Sequence, residues 1–143
     1  VRGNPLDNIE ISIFPFKFKH FNDLIELHKL NNYQHTAAIT MKRLPKIGYI
    51  SYFGDSPIAA GFLRRVEGGY AQMDTLVSNP HFGSQIRHLA IDKVVKSLID
   101  DAKTLDLEGI VAFTSDIGVL KRAEDIGFNR LDAQKLIALP LRS

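Results

Sequence analysis

Tyr70-Ala71-Gln72-Met73-Asp74-Thr75-Leu76-Val77-Ser78-Asn79-Pro80-His81-Phe82-Gly83-Ser84-Gln85-Ile86-Arg87 changes its hydrophobic period in the middle. Residues 70–77 follow the turn pair Gly68-Gly69 and read as a strand. Beyond Pro80 the period becomes helical. Ile86, Leu89, Ala90, Val94, Ser97, Leu98, Asp101 and Ala102 share one face of a long helix ending near Leu105. Gly109 to Thr114 then reads as a buried strand. A strand, a helix and a second strand in this order predict a right-handed crossover with its strands parallel.

Upstream, Lys46–Phe53, Ile58–Val66 and Tyr70–Val77 are β-rich runs separated by Gly54-Asp55-Ser56-Pro57 and by Gly68-Gly69. Turns this short predict an antiparallel meander. An alternating run from Ile9 to Phe18 predicts a further strand, with Pro15 marking an edge or a bulge. Phe21, Leu24, Ile25, Leu27, His28 and Leu30 predict a helix, capped by Asn22 or Asp23 and ending at Asn31-Asn32. Thr36 to Leu44 reads as a short helix or a turn stopped by Pro45. Downstream, Ile117–Ile126 predicts a helix stopped by Gly127 in a left-handed cap, and Lys135–Leu139 a last strand. The order is β-α-(α)-β-β-β-α-β-α-β, an α/β chain with a mixed sheet. Without repeat, linker or low-complexity tract, residues 1–143 read as one domain.

Composition removes several classes of function. There is no cysteine, which excludes disulfides, thiolate metal sites and a cysteine nucleophile. No apolar run approaches the roughly 20 residues of a membrane helix. The polar start Val1-Arg2-Gly3-Asn4-Pro5 lacks the apolar middle of a signal peptide, so a cytoplasmic location is expected. Net charge is only +2, and the densest basic spots are Lys42-Arg43 with Lys46 and Arg64-Arg65. A nucleic-acid binder usually shows a stronger basic stripe, so no nucleic-acid partner is expected. His28 and His35, and His81 and His88, are each seven apart, not the i, i+4 spacing of a helical metal site. No metal is expected, and no Gly-x-Ser-x-Gly elbow is present.

The junction at residues 78–88 is where chemistry can sit. Gly83 allows a tight turn, and the amides of residues 83 to 88 begin the helix without intrahelical acceptors. With the helix dipole, the Ser84 hydroxyl and the Arg87 charge, they suit an anion such as a pyrophosphate. An ordinary capped turn would carry the same residues.

Val77-Ser78-Asn79-Pro80-His81-Phe82-Gly83-Ser84-Gln85-Ile86-Arg87 resembles the V-x-P-x-x-R-G-x-G-I-G junction of GNAT acetyltransferases, Gly83 falling on the first loop glycine. Asp116-Ile117-Gly118-Val119-Leu120-Lys121-Arg122-Ala123-Glu124-Asp125-Ile126-Gly127-Phe128 is similar to that family's N-x-x-A-I-x-L-Y-x-x-x-G-F. With the strand order, the resemblance covers nearly the whole chain. It implies a GNAT-like fold, an antiparallel meander followed by a strand-helix-strand unit that binds CoA. It also implies an N-acyltransferase using an acyl-CoA, commonly acetyl-CoA, and a small-molecule or protein amine as acceptor.

By the same resemblance, Leu76, Val77 and Ser78 line the acyl group. Gly83, Ser84, Gln85, Ile86, Arg87 and His88 hold the pyrophosphate, and Asp116 takes the place of the second motif's Asn. Asp74 is the first candidate for the base that deprotonates the amine, and Glu67 the second. Tyr70 or Tyr33 could protonate the departing thiolate. Phe82, Gln85 and Arg87 depart from the loop pattern, and Ala123 replaces the family's Tyr acid. These departures keep open an alternative, a GNAT-fold interaction module that no longer catalyses. A third reading uses Lys42, Arg43, Lys46, Arg64 and Arg65 to meet nucleic acid. The strand Lys135–Leu139 offers an edge through which a homodimer could form.

Overall fold

The structure, a computed structural model, describes residues 10–31, 40–113 and 117–130. It divides into two compact units, Val1–Ala112 and Phe113–Ser143.

In the first unit five strands form one sheet in the order β1 (Ile11–Pro15), β2 (Ile47–Phe53), β3 (Ser56–Val66), β4 (Tyr70–Ser78) and β5 (Gly109–Val111). The first four pair antiparallel in sequence, and β5 pairs parallel with β4. This is the expected meander followed by a strand-helix-strand unit. Two helices, α1 (Phe21–Leu30) and α2 (Ser84–Thr104), cover the sheet. Strand alternation sorts the core into two layers. Ile58, Leu63 and Ala71 pack with Ala90, Val94 and Leu98 of α2, while Ile50, Ala60, Phe62 and Val77 pack with Leu24 and Leu27 of α1.

Several local expectations are corrected by specific bonds. The hairpin turn is only Gly54-Asp55, since Phe53 already faces Ser56, and Pro57 sits in β3 at a register shift opposite Tyr52. Pro15 ends β1 at the sheet edge, where its missing N–H costs no ladder bond. Neither Asn22 nor Asp23 caps α1. A 3-10 turn, Phe18–His20, leads straight into it, and the Lys17 amide donates to His20 Nδ1 at 3.0 Å. His20 is buried beside Phe14, Phe16 and Tyr52, and burial first, then Lys19, lowers its pKa. Of Thr36–Leu44, residues 40–44 form a single turn closed by Arg43 and Leu44 amides on the Thr40 carbonyl. The rest of that segment, Asn32 and the strand expected at Lys135–Leu139 lie outside the described residues.

In the second unit α3 (Ile117–Ile126) ends at Gly127, whose φ of 119° only glycine adopts readily. Gly127 and Phe128 amides close on the Ala123 carbonyl, the left-handed cap read from the sequence.

Two tyrosines of β2 fasten the helices to opposite faces. Tyr49 donates to Asp101 of α2 at 2.7 Å, which explains an acid on that helix's apolar face. Tyr52 donates to Asp23 in the first turn of α1 at 2.6 Å. Burial, then the bonded carboxylate, pushes the Tyr49 phenol up to about 12 and raises that of Tyr52 as well. An unfolded tyrosine ionises near 10, so both groups favour folding below about pH 10 and lose that contribution as pH climbs above it. Each Tyr→Phe change should cost about 1 kcal/mol at neutral pH. The double variant Tyr49→Phe/Tyr52→Phe should lose less stability than the parent between about pH 10 and 12 in urea melts. An alkaline loss as steep as the parent's would refute these two contacts.

Candidate functional site

Along β3 and β4 the register pairs Phe62 with Asp74 but Ala60 with Val77. Gly61 alone therefore faces Thr75 and Leu76, which makes a bulge on β4. Thr75 takes φ of +56°, a left-handed conformation in which its β-branched side chain is strained. The extra residue shifts side-chain parity. Leu76 turns toward the α2 layer and Val77, immediately next, toward the α1 layer. Gly61 fits tightly opposite Leu76, since a Cβ there would lie 3.0 Å from Leu76 Cδ1 and 3.1 Å from Val94 Cγ1.

β5 pairs only with Tyr70, Ala71 and Gln72. From Met73 to Ser78, where the bulge lies, the β5 side of β4 has no strand partner among the described residues. Asp74 stands directly before the bulge on the α1 face, half-buried. Its Oδ2 accepts from Arg64 Nε at 2.9 Å and its Oδ1 from the Thr75 hydroxyl at 3.2 Å.

Ser78 joins three elements. Its carbonyl accepts from Asn31 Nδ2 at the end of α1, at 2.8 Å. Its hydroxyl accepts from Arg87 Nε and Nη2 at 3.2 and 2.9 Å. Asn79, buried, shapes the following loop. Its amide and Nδ2 donate to Ile58 and Pro57 carbonyls, and its Oδ1 accepts from the His81 amide. Phe82 packs on the α2 layer and edge-on to Phe53, which anchors the loop.

The first backbone bond of α2 runs from the Arg87 amide to the Gly83 carbonyl at 3.1 Å. The amides of Ser84, Gln85 and Ile86 precede it and have no intrahelical acceptor. No acidic residue lies in that first turn, so nothing opposes the positive end of the dipole. Gly83, Ser84, Gln85 and His88 are exposed. Gly83 is not needed for a tight turn, as its φ of −63° and ψ of 160° suit any residue. A Cβ at Gly83 would meet nothing within 4 Å. A side chain at residue 83 would begin in open space.

Leu76, Val77, Ser78, Asp74 and the 83–88 turn thus lie along one strand and the helix that follows it. Glu67 and Tyr70 lie at the other end of β4, next to the Gly68-Gly69 turn. Tyr70 is five residues from the bulge, roughly 16 Å of extended chain, and its ring covers Gly109. Asp116 and Tyr33 lie outside the described residues. His28 is buried in α1, where desolvation lowers its pKa. Among the described residues no three His, Asp or Glu side chains gather as metal ligands would, and no helix is long and apolar enough to cross a membrane. The sequence singles out neither Asn31 nor Asn79 as a site residue, and Arg64 only as a basic residue for the nucleic-acid reading. Asn79-Pro80 carries a turn signal that points to Asn79, whereas the partners of Asn31 and Arg64 depend on tertiary packing and strand register.

No protein-family model and no curated protein matches the sequence. Solved structures do match the fold. An acetyltransferase of the GNAT family from Staphylococcus aureus Mu50 superposes with a TM-score of 0.70 at 14% identity, over 90% of each chain. The GNAT family protein of Streptococcus pneumoniae TIGR4 gives 0.69 at 13%, over 93% of this chain and all of that one (100%). The fold is that of the GNAT acetyltransferases. A third GNAT-fold match, AAC(6')-Iy solved with the bisubstrate analogue CoA-S-monomethyl-acetylneamine, gives 0.64 at 14%, over 94% of this chain and 99% of that chain.

If the bulge stores strain at Thr75, Thr75→Gly should raise the unfolding free energy by about 1 kcal/mol despite the loss of its hydroxyl. Denaturant melts of the two proteins decide it. A variant less stable than the parent would mean that the left-handed backbone at Thr75 carries no such cost.

Proposed function

We propose that the chain transfers an acyl group, acetyl foremost, from its CoA thioester to an amine by direct attack. The observation that carries this reading is a strained bulge on β4 beyond the end of β5, followed within one loop by the acceptor-free amides of α2. Fold likeness alone would be analogy. The bulge and the helix start together offer a thioester both things it needs: a backbone donor at the carbonyl and an anion site for the pyrophosphate.

In this reading the pyrophosphate rests on the amides of Ser84, Gln85 and Ile86, next to Gly83. The acyl end lies along the unpaired edge of β4, with its carbonyl oxygen toward a backbone amide in the Leu76–Ser78 stretch. The acceptor nitrogen gives a proton to Asp74, directly or through a water, and attacks the carbonyl carbon. Asp74 has room for this, because a carboxylate offers about four acceptor positions and Arg64 and Thr75 occupy two. As the C–N bond forms, negative charge gathers on the oxygen and is held by the amide. Collapse breaks the C–S bond, and the proton remaining in excess on the nitrogen passes through water to the CoA thiolate. Ala123 supplies no acid, and Tyr70 is at the far end of the strand.

Calorimetry with acetyl-CoA and thiol release over a panel of amines test the reading. Gly83→Glu should abolish acetyl-CoA binding while moving the thermal midpoint by no more than a few degrees; full affinity in that variant would remove the pyrophosphate site. Asp74→Asn should slow transfer most at neutral pH and recover at higher pH as the amine deprotonates unaided. An unchanged rate would remove Asp74 from the mechanism. The departures at Phe82, Gln85, Arg87 and Ala123 support a second reading, a module that binds without catalysing, and acetyl-CoA binding with no thiol release from any amine would favour it.

A further inference from the structure

The sequence places two arginines side by side, and the sheet separates them. Arg65 pairs with Ala71, which packs in the α2 layer, so Arg65 belongs to that face. Arg64 lies on the opposite face with Asp74. The exposed basic residues of the earlier turn come to the same place. Arg64 Nη2 donates to the Arg43 carbonyl at 3.2 Å. The β2–β3 ladder ends with Ile47 opposite Leu63, which brings Lys46 and Arg64 to one end of the sheet. Asp74, the group assigned to the amine, therefore shares this part of the sheet with Arg64 and, through the Arg64–Arg43 bond, with the turn at residues 40–44.

The guanidinium is also held in position. Nε is spent on Asp74 and one N–H of Nη2 on the Arg43 carbonyl, leaving three of the five N–H donors of an arginine. The Arg43 carbonyl gives Arg64 a second anchor besides Asp74. The side chains of Arg64 and Asp74 are 47% and 27% exposed, so both charges can be reached from solvent. A plain cationic amine arriving at Asp74 would sit against Arg64 and be repelled. An amine that carries its own acid would meet a cation and an anion in complementary order. Arg is suited to planar acid groups because its donors are fixed in a fork.

We propose that the acceptor is an amine with a carboxylate or phosphate a few atoms away, its ammonium received by Asp74 and its acid by Arg64. This rests on the acyl-transfer reading for its purpose and on the Arg64–Asp74–Arg43 geometry for its chemistry. Arg64 is then a specificity-determining residue. It touches the acid of the acceptor and leaves the reacting atoms to Asp74 and the bulge.

The test uses matched probes with the full chain: the common amino acids against their amides, O-phosphoethanolamine against ethanolamine, and spermidine. Each is titrated calorimetrically and then assayed for thiol release with acetyl-CoA. At least one acid-bearing amine should bind at least tenfold more tightly than its neutralised partner, the carboxylate or the phosphate pair revealing which acid is meant. Arg64→Gln should erase that preference, chiefly through KM, Arg64→Lys should restore part of it, and both variants should keep the parent's affinity for acetyl-CoA. Amides or spermidine that bind or react as well as the acids would overturn the proposal, with acyl transfer left standing. So would the failure of every acid-bearing amine to bind. If acetyl-CoA fails to bind while an acidic amine binds through Arg64, the acyl-transfer reading falls and this site survives it.

Discussion

The two-for-one pairing of Thr75 and Leu76 against Gly61 organises the rest of the molecule. A regular strand would send residues 73, 75 and 77 to one face. The bulge instead lets Leu76 and Val77, neighbours in sequence, fill opposite layers of the core. It holds Thr75 in a left-handed backbone that such residues avoid, at a cost of order 1–3 kcal/mol. Burial on both faces over-determines that conformation, so the strain persists at the place where a reactive carbonyl would need a donor.

From that point the structure extends in two directions. Ser78, the last residue of β4, receives Asn31 from α1 and Arg87 from α2, so the strand end and both helices share one polar junction. Asn79 then ties the loop back to β3, and the helix starts with three amides that have no intrahelical acceptor. In the other direction Asp74 is bonded by Arg64, which in turn reaches the turn at Arg43. The proposed donor and acceptor sites thus meet at one bulge but draw on different elements.

Periodicity carried most of the architecture. Ala90, Val94, Leu98 and Ala102 were legible as the buried face of α2 because a 3.6-residue repeat leaves few alternatives. The meander was legible from turn residues between β-rich runs. The bulge was not, since it exists only in the register of β4 against β3, and no local signal marks a threonine as left-handed. Gly83 misled in the reverse sense. Its residue type suggests a tight turn, yet its backbone is ordinary and a Cβ there would meet nothing. Arg64-Arg65 read as one basic spot, although strand alternation puts them on opposite faces. Their separation follows from period two, while the partnership with Asp74 needed the register as well.

The most direct test of the central claim, that the bulge and the start of α2 form one acyl-CoA site, is amide chemical-shift mapping by NMR as acetyl-CoA is added. The account predicts saturable shifts in two stretches together, Thr75–Ser78 and Gly83–Arg87, with the same apparent affinity. Shifts confined to one stretch, or none at millimolar ligand, would contradict it.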